Sequence, residues 1–376
     1  MQNLNKLFFL FLVGFLANLP FSSFSQGFTD LRFSLHKGTI FAHAESVDYI
    51  TGNTLMAQVD LINRTKGEKA WQKAYGFPTW GVGLMYLDFG NSWLEQGLSV
   101  VTFFEPHIIR TNRFELSYRA GFGASFVTNP YDSISNPQNI MHGSHLNFTM
   151  QGTANLRYKF SEKVTLNGGV GITHFSNGAF KKPNKGSNVN AFSLGMTYNL
   201  KQPQASFHPK ELKPSDELVY DTKGLDWYVS LGFGVKENNP PEGEPYSGEK
   251  YSVYLAQIYA GKRLNYKSNL LFGINLIDNR SVKSIREEAQ ANGRDLDSKD
   301  YKRIAIVIGH ELTISKLSLL TQLGYYAYNP YSYVDKSIFQ RYGAKYYFNK
   351  NIFGGFSLYT HFAKAEIIEY SVGYKF

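Results

Sequence analysis

Polar and apolar residues alternate with a period of two along most of the chain, the pattern of β-strands with one apolar face. From Phe114 to Phe122 every even position is apolar and every odd position is polar or glycine. Similar segments predict about sixteen strands, near 30–36, 53–61, 82–89, 97–105, 114–123, 147–159, 164–176, 190–200, 226–236, 251–262, 268–277, 302–312, 317–326, 337–348, 352–361 and 366–376.

The residues on the two faces favour an all-β, antiparallel transmembrane β-barrel. The polar positions hold Arg, Gln, Asn and Thr, which suit a wet lumen, and the apolar positions hold aromatics, which suit lipid. The chain has 26 Tyr and 30 Phe. The final residues, from Tyr370 to the terminal Phe376, resemble the terminal strand by which outer-membrane barrels are recognised for assembly. Sixteen strands fit either one wide barrel or two eight-stranded halves.

Four segments follow from composition. Lys6, an apolar run over 7–19 and a small-x-small site at Ser23-Phe24-Ser25 predict a cleaved signal peptide at 1–25. The proline-containing stretch 201–225 predicts a linker or long turn. A first barrel half at 26–200 and a second at 226–376 remain, and we expect export to a bacterial outer membrane.

The net charge and the absence of cysteine limit which partners and which kinds of site the chain can have. The chain has no cysteine and a net charge of +9. Its basic residues are scattered and it carries an export signal, so we expect no nucleic-acid partner. The scattered basic residues fit either attraction to anionic lipid head groups or ordinary solvated loops. We expect no cofactor and no metal site.

A histidine and a serine share one face of the predicted strand 164–176. His174 and Ser176 have the parity of its apolar residues, which must face lipid, and Asn188 has the lipid-facing parity of the next strand. An even strand count with a periplasmic N-terminus places the connection between these strands outside the cell. A base and a hydroxyl at that rim suggest attack on a lipid. Taken alone, they also fit polar side chains just above the hydrocarbon.

The surrounding residues resemble a known family. The runs His174-Phe175-Ser176-Asn177, Pro183-Asn184-Lys185-Gly186 and Ser193-Leu194-Gly195 look like the lipid A 3-O-deacylase family of the PagL type, grouped with acyloxyacyl hydrolases. The resemblance implies an eight-stranded outer-membrane barrel with a Ser-His-Glu triad on its lipid-facing exterior. Such enzymes remove the ester-linked acyl chain at the 3-position of lipid A. The specific motif covers 173–195, and a weaker barrel resemblance covers 27–200.

The resemblance carries roles to matching positions. Ser176 would be the nucleophile and His174 the general base. Asn177 and Asn184, with backbone N–H groups near Gly178, would be oxyanion donors. Where the family has its glutamate, this chain has Asn188, which can accept the imidazole N–H but cannot supply a negative charge.

The resulting prediction is an outer-membrane, lipid A deacylase-like serine esterase. Its substrate would be lipopolysaccharide of the outer leaflet or a related glycolipid, and its other partner would be the barrel assembly machinery. Lys181, Lys182 and Lys185 fit either contacts with lipid A phosphates or a solvated loop. The alternative is a catalytically inactive or porin-like barrel, a channel or a surface-binding protein, with a charged loop around 286–299 as its best binding feature.

Overall fold

The computed structural model describes residues 28–42, 45–200, 222–240, 246–293, 301–330, 336–362 and 364–376. The predicted signal peptide at 1–25 and positions 201–221 of the predicted linker lie outside these residues. The chain divides into two compact units, one of Met1–Asn177 with Lys185–Lys213 and one of Gly178–Asn184 with Pro214–Phe376.

The first unit is a closed antiparallel barrel. Strand β1 pairs with both β2 and β9, and β4 pairs with both β3 and β6, so eight strands close the barrel and the short β5 lies beside β6. A 3-10 helix (Glu45–Val47) and helix α1 (Ala70–Ala74) lie in its connections. The strands are β1 (Asp30–Phe41), β2 (Asn53–Arg64), β3 (Thr79–Asp88), β4 (Gln96–Glu105), β5 (His107–Arg110), β6 (Phe114–Val127), β7 (Leu146–Lys159), β8 (Val164–Ser176) and β9 (Ser187–Asn199).

The second unit contains another closed antiparallel barrel of eight strands, completed by pairing of β10 with β17. The prediction of antiparallel barrels is confirmed, and of its two forms the structure has two eight-stranded barrels. The strands are β10 (Asp226–Lys236), β11 (Tyr251–Arg263), β12 (Ser268–Asn279), β13 (Arg303–Ile314), β14 (Leu317–Tyr328), β15 (Ile338–Tyr347), β16 (Ile352–His361) and β17 (Lys364–Lys375).

The charged segment at 286–299 is not simply a loop, because its first residues belong to helix α2 (Arg280–Ala291). The Asn279 side chain caps this helix by accepting from the Ser281 N–H, and Val282 and Ala289 are buried. The part at 294–299 lies outside the described residues. Among the described residues, no helix has the length and apolar character to cross a bilayer.

Strand alternation puts apolar side chains outside each barrel and charged ones inside. Phe192 and Leu194 are 73% and 76% exposed. Buried charges inside are paired, as low-dielectric surroundings require. Arg119 Nη1 lies 2.6 Å from Asp60 Oδ2 in the first barrel, and in the second Arg341 Nε lies 2.9 Å from Glu369 Oε2.

Candidate active site

Strands β8 and β9 bring His174 and Asn188 directly opposite each other. His174 Nδ1 lies 2.7 Å from Asn188 Oδ1, within hydrogen-bond distance. Because an amide oxygen only accepts, Nδ1 carries the proton in this contact. That tautomer leaves Nε2 as the atom that can take a proton from a nucleophile.

The intervening residues explain why these polar groups point outward. Phe175 and Val189 are fully buried in an apolar cluster that also contains Phe89 and Met141. Side chains alternate across a strand, so burying Phe175 turns both His174 and Ser176 to the outer face, where they are half-buried. The two residues therefore share the outer face of β8, as the alternation predicts.

Gly186 packs tightly against the same two residues. A Cβ atom at this position would lie 2.8 Å from His174 Cε1 and 3.3 Å from Ser176 Cβ, and Gly186 has a φ of +73°. Both the space and the backbone conformation favour glycine. Gly186 has no role in the predictions made from the sequence, although it closes the Pro-Asn-x-Gly motif, which was the available signal.

A second histidine lies behind the pair. His142, in the β6–β7 connection, is fully buried, and its Nε2 lies 2.8 Å from Ser187 Oγ. Burial, and to a smaller extent the nearby His174, lowers the pKa of His142 to about 3. His142 is therefore neutral at physiological pH. The contact between His142 and Ser187 was not predicted because nothing in the sequence near residue 142 points to β9.

The other predicted site residues fall in both units. Asn177 is buried and its amide donates to Ser144 Oγ at 2.9 Å. Gly178, Lys181, Lys182 and Asn184 belong to the second unit, in which the Lys182 N–H donates to Glu237 Oε2 at 3.2 Å. Lys182 is buried, whereas Lys181 and Lys185 are exposed. The oxyanion and phosphate-binding roles stay predictions.

Within the part of the chain that the structure describes, no group of three His, Asp or Glu side chains is arranged to hold a metal ion.

Comparisons with known proteins relate both barrels to one family. Residues 58–197 match the family described as lipid A 3-O-deacylase (PagL), and residues 225–376 match the acyloxyacyl hydrolase C-terminal domain. No curated protein matches the sequence.

Solved structures give weaker likenesses. The outer membrane enzyme PagL is 18% identical, with 44% of this chain and 97% of that chain covered and a TM-score of 0.31. A mutant of the Rhodopseudomonas blastica porin is 11% identical, with 92% and 99% covered and a TM-score of 0.20. Because both TM-scores are below 0.5, neither likeness adds to the fold described above.

The two family models match most of the chain, each within the residues of one barrel and its flanking segment. The resemblance read from the His-x-Ser-Asn and Pro-Asn-x-Gly motifs is thereby confirmed. The chain belongs to the PagL-type lipid A 3-O-deacylase and acyloxyacyl hydrolase family of outer-membrane β-barrels.

Proposed function

We propose that this protein is a serine esterase that hydrolyses an ester-linked acyl chain of lipopolysaccharide or a related glycolipid. The observation that carries the proposal is the 2.7 Å contact between His174 and Asn188, on the strand face that also holds Ser176. Nucleophilic ester hydrolysis uses a hydroxyl beside an oriented imidazole, and Ser176 lies two residues from His174 on the same strand face.

The proposed reaction has two halves. Ser176 Oγ attacks the ester carbonyl carbon while its proton passes to His174 Nε2, and a tetrahedral oxyanion forms. The ester C–O bond then breaks, and His174 returns the proton to the sugar hydroxyl that leaves. Water next attacks the acyl-serine with His174 again as base, which releases the fatty acid and restores Ser176.

Asn188 has a defined part in this scheme. Its Oδ1 holds the Nδ1–H of His174 and so keeps the base in the tautomer that the reaction uses. As a neutral group it stabilises the imidazolium less than a carboxylate does. We therefore expect slower turnover than a Ser-His-Glu site would give.

The remaining roles in the proposal come from the family resemblance. Asn177, Asn184 and backbone N–H groups near Gly178 would stabilise the oxyanion. Lys181, Lys182 and Lys185 would contact lipid A phosphates. The signal peptide at 1–25 would direct export, and the aromatic terminal strand would meet the barrel assembly machinery.

Mass spectrometry of lipid A tests the function directly. Cells expressing the wild-type protein should yield lipid A that lacks one acyl chain, and cells expressing Ser176→Ala should not. Ser161→Ala, in the exposed turn before β8, is the matched control and should act like the wild type. Identical spectra from the wild type and Ser176→Ala would remove the proposal.

A further inference from the structure

We infer that His142 is a positioning residue for the proposed active site, because it fixes the start of β9, from which Asn188 reaches His174. The inference rests on the proposed function. It concerns a buried residue that acts through its contact with Ser187.

The first observation is an ordered set of bonds between two connections of the first unit. The Lys185 N–H donates to Ile140 O at 3.1 Å, and the Gly186 N–H donates to Met141 O at 3.0 Å. The next contact in the series joins His142 Nε2 to Ser187 Oγ at 2.8 Å. Residues 140–142 therefore bind residues 185–187 one after another.

The second observation is that His142 is itself held firmly. Its backbone N–H donates to Asn139 Oδ1 at 3.1 Å, and Asn139, which is fully buried, donates to Asn129 O at 2.6 Å. The imidazole ring packs on Phe89 with a centroid distance of 5.4 Å. A fully buried ring with these contacts has little freedom to turn, so it makes a rigid anchor for Ser187.

The third observation is that Ser187 lies between two residues that contact His174. Gly186 packs against His174 Cε1, and Asn188 Oδ1 accepts from His174 Nδ1. Ser187 is fully buried and pairs with Phe175, so it cannot shift alone. Any movement at Ser187 is passed to both neighbours.

The amide in place of a carboxylate makes this anchoring more important. A hydrogen bond between neutral groups contributes less than one to a charged group. His174 is thus held less strongly by its direct partner, and its alignment depends more on the backbone at 186–188. Misplacing a catalytic group by about 1 Å can lower a rate about 100-fold.

The experiment measures the reactivity of Ser176 toward a fluorophosphonate probe, using full-length protein in detergent micelles. We expect His142→Ala and Ser187→Ala each to slow labelling about tenfold or more, and the double variant to be no slower than either. His142→Gln, which keeps an amide N–H for Ser187, should recover part of the rate. Wild-type labelling in His142→Ala, or additive effects in the double variant, would overturn the inference.

The matched control is His145→Ala. His145 lies in the same connection, but its Nδ1 contacts Val127 O at 2.9 Å and its ring stacks on Phe126. This variant should label at the wild-type rate. A loss as large as that of His142→Ala would show that the whole connection matters rather than His142, and would also overturn the inference.

A second readout separates this inference from the proposed function. In protein with 15N-labelled histidine, the Nδ1–H signal of His174 should exchange with water about tenfold faster in His142→Ala than in the wild type. If the probe does not label wild-type Ser176, the serine mechanism fails and this signal alone decides. Unchanged exchange would then overturn the positioning role. If His142→Ala does not fold, Ser187→Ala, which removes the same contact, replaces it.

Discussion

At the scale of single residues, the hydrogen bond between His174 and Asn188 determines which chemistry the proposed site can perform. His174 donates to Asn188 at 2.7 Å, where the family's glutamate would stand. The amide orients the ring as a carboxylate would, but it offers no charge to the imidazolium that forms during attack. Asn188 therefore orients His174 without supplying a charge that stabilises the imidazolium.

Restoring the charge should raise the rate. In Asn188→Glu the carboxylate would accept the same N–H, and a bond to a charged group is stronger by about 1–2 kcal/mol, which corresponds to roughly tenfold in kcat. The measurement is initial release of fatty acid from lipid A in mixed micelles.

The matched control for that variant is Asn190→Glu. Asn190 lies on the same face of β9 but pairs with Ile172 instead of His174. It should leave kcat near the wild-type value. An equal gain in both variants would mean that added charge acts at long range and not through His174.

Replacing Gly186 by a larger residue should lower kcat. In Gly186→Ala the methyl group would meet His174 Cε1, and the left-handed backbone adds strain. We expect kcat to fall about 100-fold because the ring is displaced. Gly152→Ala is the control, since a Cβ there meets only Ile172, at 4.0 Å. Equal rates in the two variants would contradict the packing described here.

At the scale of elements, the connections between strands position the proposed site as much as the strands do. The β6–β7 connection binds residues 185–187 through Ile140, Met141 and His142, so a segment far away in sequence holds the start of β9. Strand β8 contributes through its alternation, with Phe175 buried and His174 outside.

The buried histidine of this connection should make the protein sensitive to acid. The pKa of His142 is about 3 in the folded protein, against about 6.5 for an ordinary histidine. Between these values the unfolded chain binds a proton that the folded protein does not. The free energy of unfolding therefore falls as pH falls, by at most about 1.4 kcal/mol per pH unit.

Thermal unfolding at pH 7, 6, 5 and 4 measures this effect. His142→Gln does not titrate, so its unfolding temperature should fall less steeply with pH than that of the wild type, whatever its stability at pH 7. Parallel slopes for the wild type and His142→Gln would contradict a buried, neutral His142.

At the scale of the whole molecule, the interior of each barrel is filled by its own side chains. Eight strands enclose a space just wide enough for them. Ion pairs of Arg119 with Asp60 and of Arg341 with Glu369 lie in the two interiors. A cavity of about 20 Å³ beside Arg119 in the first barrel has room for about one water molecule.

This filling bears on the alternative of a porin-like channel. We expect the purified full-length protein in planar bilayers to show no stepwise conductance of the size given by a 16-stranded porin measured in parallel. Such steps, with unchanged lipid A in cells, would favour the channel over the esterase.

Regular strands could be predicted closely and irregular elements could not. The segment 226–236 was expected to be a strand and forms β10 with the same bounds. Strand β1 runs five residues past the expected 36, to Phe41. Strand β5 and the helices α1 and α2 were missed because short or connecting elements depend on capping and on contacts from distant residues.

The alternation of side chains by itself determined the fold class and the outward direction of His174, Ser176 and Asn188, because a strand with one apolar face has only one way to meet lipid. Tertiary structure alone decided that closure occurs after eight strands, since alternation does not say that β1 pairs with β9 or β10 with β17. It also brought Gly186 against His174 and His142 against Ser187. The shapes of connections depend on long-range hydrogen bonds, which no local pattern encodes.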